Sequence, residues 1–297
     1  MKKKVALFLG AVILGVLIWY FFLKPHDYVV RFDSRALPGT INQTLKFWEK
    51  RLDRAELLQQ SDLSNLQFRI PFNDSIHLYH WKLESLNNSF TKVKAYVIDN
   101  DHSFINRLTI PFSETDFEKR TKKTVREFAK VLEEHLQSFK VRVTGKTVTT
   151  SKYCACFPLK GTQLQKAGGM MEYYGVLSGL MVENKVELDG RPLVVITDWN
   201  METDSISYNF CFPVIKTDSL PQRSGLIYRE LEKKPVVRAV YNGNYITSDR
   251  AWYALIDYAE KNNIPIEKKP LEIFHTNPNL GGNELEWKAE VFMPIKE

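Results

Sequence analysis

The chain opens on MKKKVALFLGAVILGVLIWYFFLK, an unbroken apolar run from Val5 to Leu23 behind three lysines. At 1.5 Å rise per residue, this run nearly crosses a hydrocarbon core of about 30 Å. Trp19 and Tyr20 stand near its far end, where amphipathic rings favour the bilayer interface. A cleaved leader has a shorter apolar region and a small-x-small site; WYFFLKPHDY offers none. The expectation is an uncleaved anchor over residues 1–25. Lys2, Lys3 and Lys4 then keep the N-terminus in the cytoplasm. The result is a single-pass inner-membrane protein with the bulk of the chain outside the cytoplasm, in a bacterial cell envelope.

Residues 27–140 pattern as one unit. DYVVRFDSRA predicts a strand. TINQTLKFWEKRL predicts a helix with Ile41, Leu45 and Trp48 on one side. LQFRIPF, SIHLYHWKLESL, FTKVKAYVI and NRLTIPF predict further strands, set apart by FNDS, SLNNS and DNDHS. A long helix follows, SETDFEKRTKKTVREFAKVLEEHLQSF, with Ser113 as N-cap and Asp116 in the first turn. Its apolar stripe runs through Phe117, Thr121, Thr124, Phe128, Leu132 and His135.

Residues 141–297 contain an internal repeat. With an offset of 78, Tyr174 falls on Trp252, Leu177 on Leu255, Asn184 on Asn262, Val186 on Ile264 and Pro192 on Pro270. YNFCFPV falls on AEVFMPI at an offset of 81, which aligns Pro213 with Pro294. Each half reads strand, helix, strand, strand, and the first strands are KYCACFPL and PVVRAVY. In the second helix Trp252, Leu255, Ile256 and Ala259 form the buried stripe. Ser248 or Thr247 caps its start, and Asn262, Asn263 and Pro265 end it. The fold class is therefore α+β throughout.

Composition adds limits. The net charge of +6 is half accounted for by Lys2, Lys3 and Lys4, which leaves no basis for direct nucleic-acid binding. Three cysteines, Cys154, Cys156 and Cys211, do not suggest a disulfide framework, and the CxC spacing suits neither a redox pair nor half a zinc site. Cys211 is a conceivable nucleophile but reads first as core packing. No metal site, cofactor site or catalytic triad is expected.

Strand alternation supplies candidate site residues. Leu271 and Ile273 share one face of their strand, Glu272 and Phe274 the other. In the last strand Ala289, Val291 and Met293 share one face, Glu290 and Phe292 the other. The aliphatic faces suit packing on helices, which would turn both Glu/Phe faces to one common cleft. The equivalent positions of the first repeat are Val194 with Ile196, and Asn209 with Cys211. One wall of the cleft is then acidic and aromatic (Glu272, Glu290, Phe274, Phe292) and the other, with Asn209, near neutral. Tyr241 and Tyr245, in the loop before the second helix, become rim candidates. A carboxylate among aromatic rings suits an organic cation. If the two carboxylates approached each other, one could act as general acid or base.

Two resemblances complete the reading. The order of strand, Trp-containing helix, antiparallel strands and long helix in 27–140 resembles the START-like helix-grip (polyketide-cyclase-like) superfamily, whose members often hold a cavity under the long helix. Gly243 and Tyr245, Ala251 and Trp252, Pro270 with Glu272 and Phe274, and Glu290 with Pro294 are similar to the motifs of the GyrI-like domain, the effector-binding half of AraC-type regulators. Ala289 and Phe274 depart from its usual Thr and Tyr. That resemblance implies duplicated β-α-β-β units about a pseudo-twofold axis. It also implies a cleft for small amphipathic molecules, cations among them, with binding favoured over turnover. Hydrolysis of reactive electrophiles and an envelope scaffold are the alternatives, and no protein partner is identifiable.

Overall fold

The computed structural model describes residues 2–86 and 90–296, in two compact units, Met1–Glu133 and Glu134–Glu297. The anchor segment forms α1 (Lys2–Ile18), which widens into one π-helical turn over Trp19–Leu23. The stretch Lys3–Leu23 is long and apolar enough to span a membrane, and none of its described residues is buried in protein.

In the first unit the elements are β1 (Tyr28–Ser34), α2 (Pro38–Glu49), β2 (Glu56–Asp62), β3 (Asn65–Pro71), β4 (Ile76–Ser85), β5 (Thr91–Asp99), α3 (Ser103–Thr109) and α4 (Asp116–Gln137). The five strands form one antiparallel sheet in the order β1-β5-β4-β3-β2. Alternation turns Phe68, Tyr79, Trp81, Val93, Ala95 and Val97 inward. Ile41, Leu45 and Trp48 of α2 and Phe117, Phe128 and Leu132 of α4 are buried as the periodicity predicts. Trp48, Trp81 and Phe128 meet edge-on or tilted at 5.1–6.4 Å between ring centroids.

Two local readings need correction, and one strand was not expected. NRLTIPF is not a strand, because Asn106 and Arg107 reach inward to buried carboxylates and wind the segment into α3. The α4 cap is Thr115, whose Oγ1 accepts from Glu118 N at 3.1 Å, rather than Ser113. Strand β2, polar on most positions, had no alternating apolar pattern to announce it.

His77, buried on β4, lies 3.0 Å from Ser75 Oγ and 3.8 Å from Asp99 Oδ2 and packs on Phe72 and Phe117. Burial lowers its pKa to about 4, and Asp99 only partly opposes this. Below pH 6.5 the unfolded chain takes up that proton first, so stability falls as pH drops from 6.5 towards 4, by up to about 3 kcal/mol. Hydrogen exchange of β4 at pH 7 and pH 4.5 should show the loss. The change His77→Gln should flatten the dependence.

The second unit contains β6 (Phe139–Val148), β7 (Lys152–Thr162), α5 (Lys166–Glu183), β8 (Leu193–Asn200), β9 (Ser205–Pro213), β10 (Ile227–Leu231), β11 (Pro235–Gly243), α6 (Arg250–Lys261), β12 (Leu271–Phe274) and β13 (Lys288–Pro294). One antiparallel sheet takes the order β10-β7-β9-β8-β12-β13-β11-β6, a palindrome of the two repeats that meets at β8 and β12. The repeat holds at atomic detail. Lys185 (φ 54°) and Asn263 (φ 52°), 78 apart, occupy the same left-handed position after their helices. Val186 N donates to Met181 O and Ile264 N to Ala259 O, at 2.8 and 2.9 Å, and these bonds close the two helix ends alike. Asn184 and Asn262 each return their side-chain amide to the fourth carbonyl back, Leu180 O and Tyr258 O.

Cys156 and Cys211 form a disulfide between directly paired positions of β7 and β9, against the reading of Cys211 as mere packing. Each strand by itself shows only a buried small residue. The β7–β9 register is what brings the two sulfurs together. Cys154 stays a buried free thiol.

Candidate functional site

Helices α5 and α6 cover one face of the eight-stranded sheet. The antiparallel register sets what reaches that face. Ile273 lies opposite Glu290 and Leu271 opposite Phe292, and directly paired residues project to the same side of a sheet. Glu272 and Phe274 therefore point to the helices, together with Ala289, Val291 and Met293. Glu290 and Phe292 point to the other face, with Leu271 and Ile273. The expected common cleft for both glutamates does not form. Asn209, which pairs with Val195 and alternates with the helix-side Tyr208 and Phe210, is on the open face too.

Glu272 is wholly buried. Lys166 Nζ, also wholly buried, lies 2.5 Å from its Oε2. Trp252 Nε1 donates to Oε1 at 2.6 Å, and Ser248 Oγ sits 3.1 Å from Oε2 and 2.7 Å from Lys166 Nζ. The ammonium also stands 4.8 Å from the centre of the Trp252 ring. A carboxylate and an indole thus hold a cation, as the residue types suggest, but the cation belongs to the chain itself. Sequence reasoning missed Lys166 because nothing in KAGGMMEYY marks a lysine that turns inward from the first turn of a helix.

Glu290 on the open face takes Arg238 Nη2 at 2.7 Å, Lys288 Nζ at 3.0 Å and, at 3.6 Å, His275 Nε2. Burial pushes its carboxyl up, but the hydrogen bonds from Lys288 and Arg238 outweigh this and hold it below the usual range. With one acid on each side of the sheet, a paired-carboxylate reaction centre has no geometry here.

The helix-side face does form a pocket, of about 330 Å³, between the repeats. Met170, Met171 and Tyr174 of α5 make one wall. Tyr245, Phe274 and Trp287 of the second repeat make the other. Arg191, Asn244 and Thr276 bring polar groups. No Asp or Glu lines it among the described residues, and Lys166 and Glu272 are not in its lining. Tyr245 is fixed by its hydroxyl, which donates to Lys288 O at 2.8 Å and accepts from Thr276 N at 3.1 Å.

Tyr241 is not at the rim. It lies in β11, fully buried, with its Oη 2.8 Å from both Asn244 O and Thr247 Oγ1, and so shapes the loop that carries Tyr245. Gly243 makes that loop possible. At φ 153° a Cβ there would stand 2.6 Å from Tyr241 Oη and 2.8 Å from Phe139 Cβ. The second helix starts at Arg250, and neither Ser248 nor Thr247 caps it by its side chain; Asn244 caps the 3-10 turn before it by accepting from Ile246 N.

No family model matches the chain, and no curated protein matches it. Several solved structures are similar. The C-terminal domain of EcmrR is 13% identical, covering 54% of this chain and 98% of that one at a TM-score of 0.44. SAV2435, solved bound to tetraphenylphosphonium, is 12% identical, covering 53% and 93% at 0.37. The di-domain aromatase/cyclase BexL is 6% identical, covering 90% and 84% at 0.26.

Proposed function

We propose that the chain is a membrane-tethered binding protein that takes a small amphipathic molecule into the pocket between its repeats, without turnover. The observation that carries this is a cavity walled by thioether and aromatic side chains of both repeats, of a size in the range of small-molecule sites, about 300–1,000 Å³. Its charge refines the ligand class. The buried carboxylate of Glu272, two residues from the lining Phe274, is already matched by Lys166, and the lining contributes Arg191 and His275 but no acid. A neutral or anionic amphiphile fits this pocket better than an organic cation. The Cys156–Cys211 bridge supports a location on the oxidising side of the membrane that α1 would cross.

Full-length protein in nanodiscs tests the reading by calorimetry, against empty nanodiscs. Anilinonaphthalene sulfonate, an aromatic anion, is expected to bind saturably at one site. The cationic dye rhodamine 6G is expected to bind at least about tenfold more weakly, a difference of about 1.4 kcal/mol. The change Met170→Trp, which fills the cavity from α5, should abolish the saturable component. Tighter binding of rhodamine 6G, weakened by Glu272→Gln, would restore the cation reading instead. Saturable binding that ignores Met170→Trp would remove the pocket from consideration.

A further inference from the structure

Helix α3 has its polarity reversed. A surface helix of a soluble protein turns its apolar stripe to the core and its polar side to water. In α3 the inward residues are Asn106 and Arg107, both buried. Asn106 Nδ2 donates to Asp99 Oδ2 at 3.2 Å, and Arg107 Nε donates to the buried Asp27 Oδ1 at 2.6 Å. The outward residues are Phe104, Ile105 and Leu108, exposed by 55%, 57% and 49%, and beyond the helix Phe112 is exposed by 86%. Positions 104 and 108 follow the four-residue spacing of one helical face, and Phe112 follows in the turn after it.

The same helix is riveted to the end of the anchor. Arg107 Nη1 donates to Phe21 O at 2.8 Å, and Tyr20 Oη donates to Arg107 O at 3.0 Å. The Phe104 ring packs against Phe21 and Phe22 at 5.5 and 6.4 Å. The outward face of α3 is therefore continuous with the apolar surface of the anchor's last turn, where Phe22 and Leu23 are exposed. When Lys3–Leu23 crosses a bilayer, this turn sits at the level where the hydrocarbon ends. The side chains bound to it then share that level. Asp101, His102, Ser113 and Glu114, all exposed, flank the patch and limit its depth to the interfacial layer.

We propose that α3 and Phe112 form a membrane-seated foot, which dips Phe104, Ile105, Leu108 and Phe112 into the lipid surface beside the anchor and holds the first unit against the bilayer in one orientation. An apolar patch of this kind is covered in the working protein, and its continuity with the anchor selects lipid as the cover. The proposal rests on the anchor reading.

Site-directed spin labelling of the full chain in phosphatidylcholine nanodiscs separates the two. Cysteines are introduced singly at Phe104, Leu108 and Phe112, at Ile13 in the anchor, and at Leu58, an exposed apolar residue of β2. Cys154 is buried and the other two native cysteines are bridged, so the label reports the introduced site. Collision rates with oxygen, enriched in lipid, and with a water-soluble nickel chelate are then compared. The foot positions are expected to favour oxygen, at shallower depth than Ile13, while Leu58 favours nickel. Foot labels that behave like Leu58 while Ile13 reads lipid would overturn the foot and leave the anchor standing. Foot labels reached by neither reagent would show protein as the cover and also overturn it. An Ile13 label that reads water would remove the anchor, and the foot with it.

Discussion

Replacing Lys166 by Met is expected to destabilise the second unit by about 3–5 kcal/mol, because it leaves the Glu272 carboxylate buried without its counter-charge. The size of the effect follows from the site. Both side chains are wholly out of water, so no solvent screens the lost charge. Trp252 and Ser248 still donate to the carboxylate, but neutral donors do not replace an ammonium. Hydrogen exchange of β12 and α6 in the full-length protein reads the change in this unit alone. The double variant Lys166→Met, Glu272→Gln should recover most of the loss, since the glutamine oxygen still accepts from Trp252 and no charge is stranded. The cycle of the two single variants and the double then gives their coupling. A loss below about 1 kcal/mol in Lys166→Met would show that the pair does not hold this core together, in line with an exposed bridge.

Opening the Cys156–Cys211 bridge should cost the same unit about 4 kcal/mol, from the chain entropy released across a sequence separation of 55. The bridge is buried, with Leu193 and Cys154 beside it, so reduction should be slow in the folded protein and fast once β7 and β9 part. Mass spectrometry checks the pairing directly. Alkylation of the denatured, unreduced chain should modify Cys154 alone, and two further cysteines should appear after reduction. Three modified cysteines before reduction would show that no bridge exists. Midpoints in urea for Cys211→Ser, with and without reductant, then measure the contribution. The reductant should change the parent protein and leave the variant where it is.

Much of the architecture is legible residue by residue. The Val5–Leu23 run is long enough to span because its length and lack of charge are properties of the chain itself. Periodicity placed Ile41, Leu45 and Trp48, and Phe117, Phe128 and Leu132, on buried helix faces, since a helix has one face to bury whatever it packs against. The offset of 78 pairs Asn184 with Asn262 and reappears as identical helix ends. Of the candidate residues, Tyr245 and Phe274 stand in the lining of the pocket between the repeats.

What sequence alone determined, then, is local: where most of the strongly patterned helices and strands lie, which residues alternate on each such strand, that the second half is doubled, and that the first segment is apolar. Tertiary structure decided which alternating sets face the same way. Strand alternation has a period of two, so each strand offers two faces of equal standing, and only the pairing of Ile273 with Glu290 puts Glu272 and Glu290 on opposite surfaces. Charge and disulfide partners were likewise out of reach. Lys166 meets Glu272, Arg107 meets Asp27 and Cys156 meets Cys211 across separations that no spacing rule covers. Each is held by the folding of the chain between them, and the Lys166–Glu272 pair takes the acid out of the expected cation cleft.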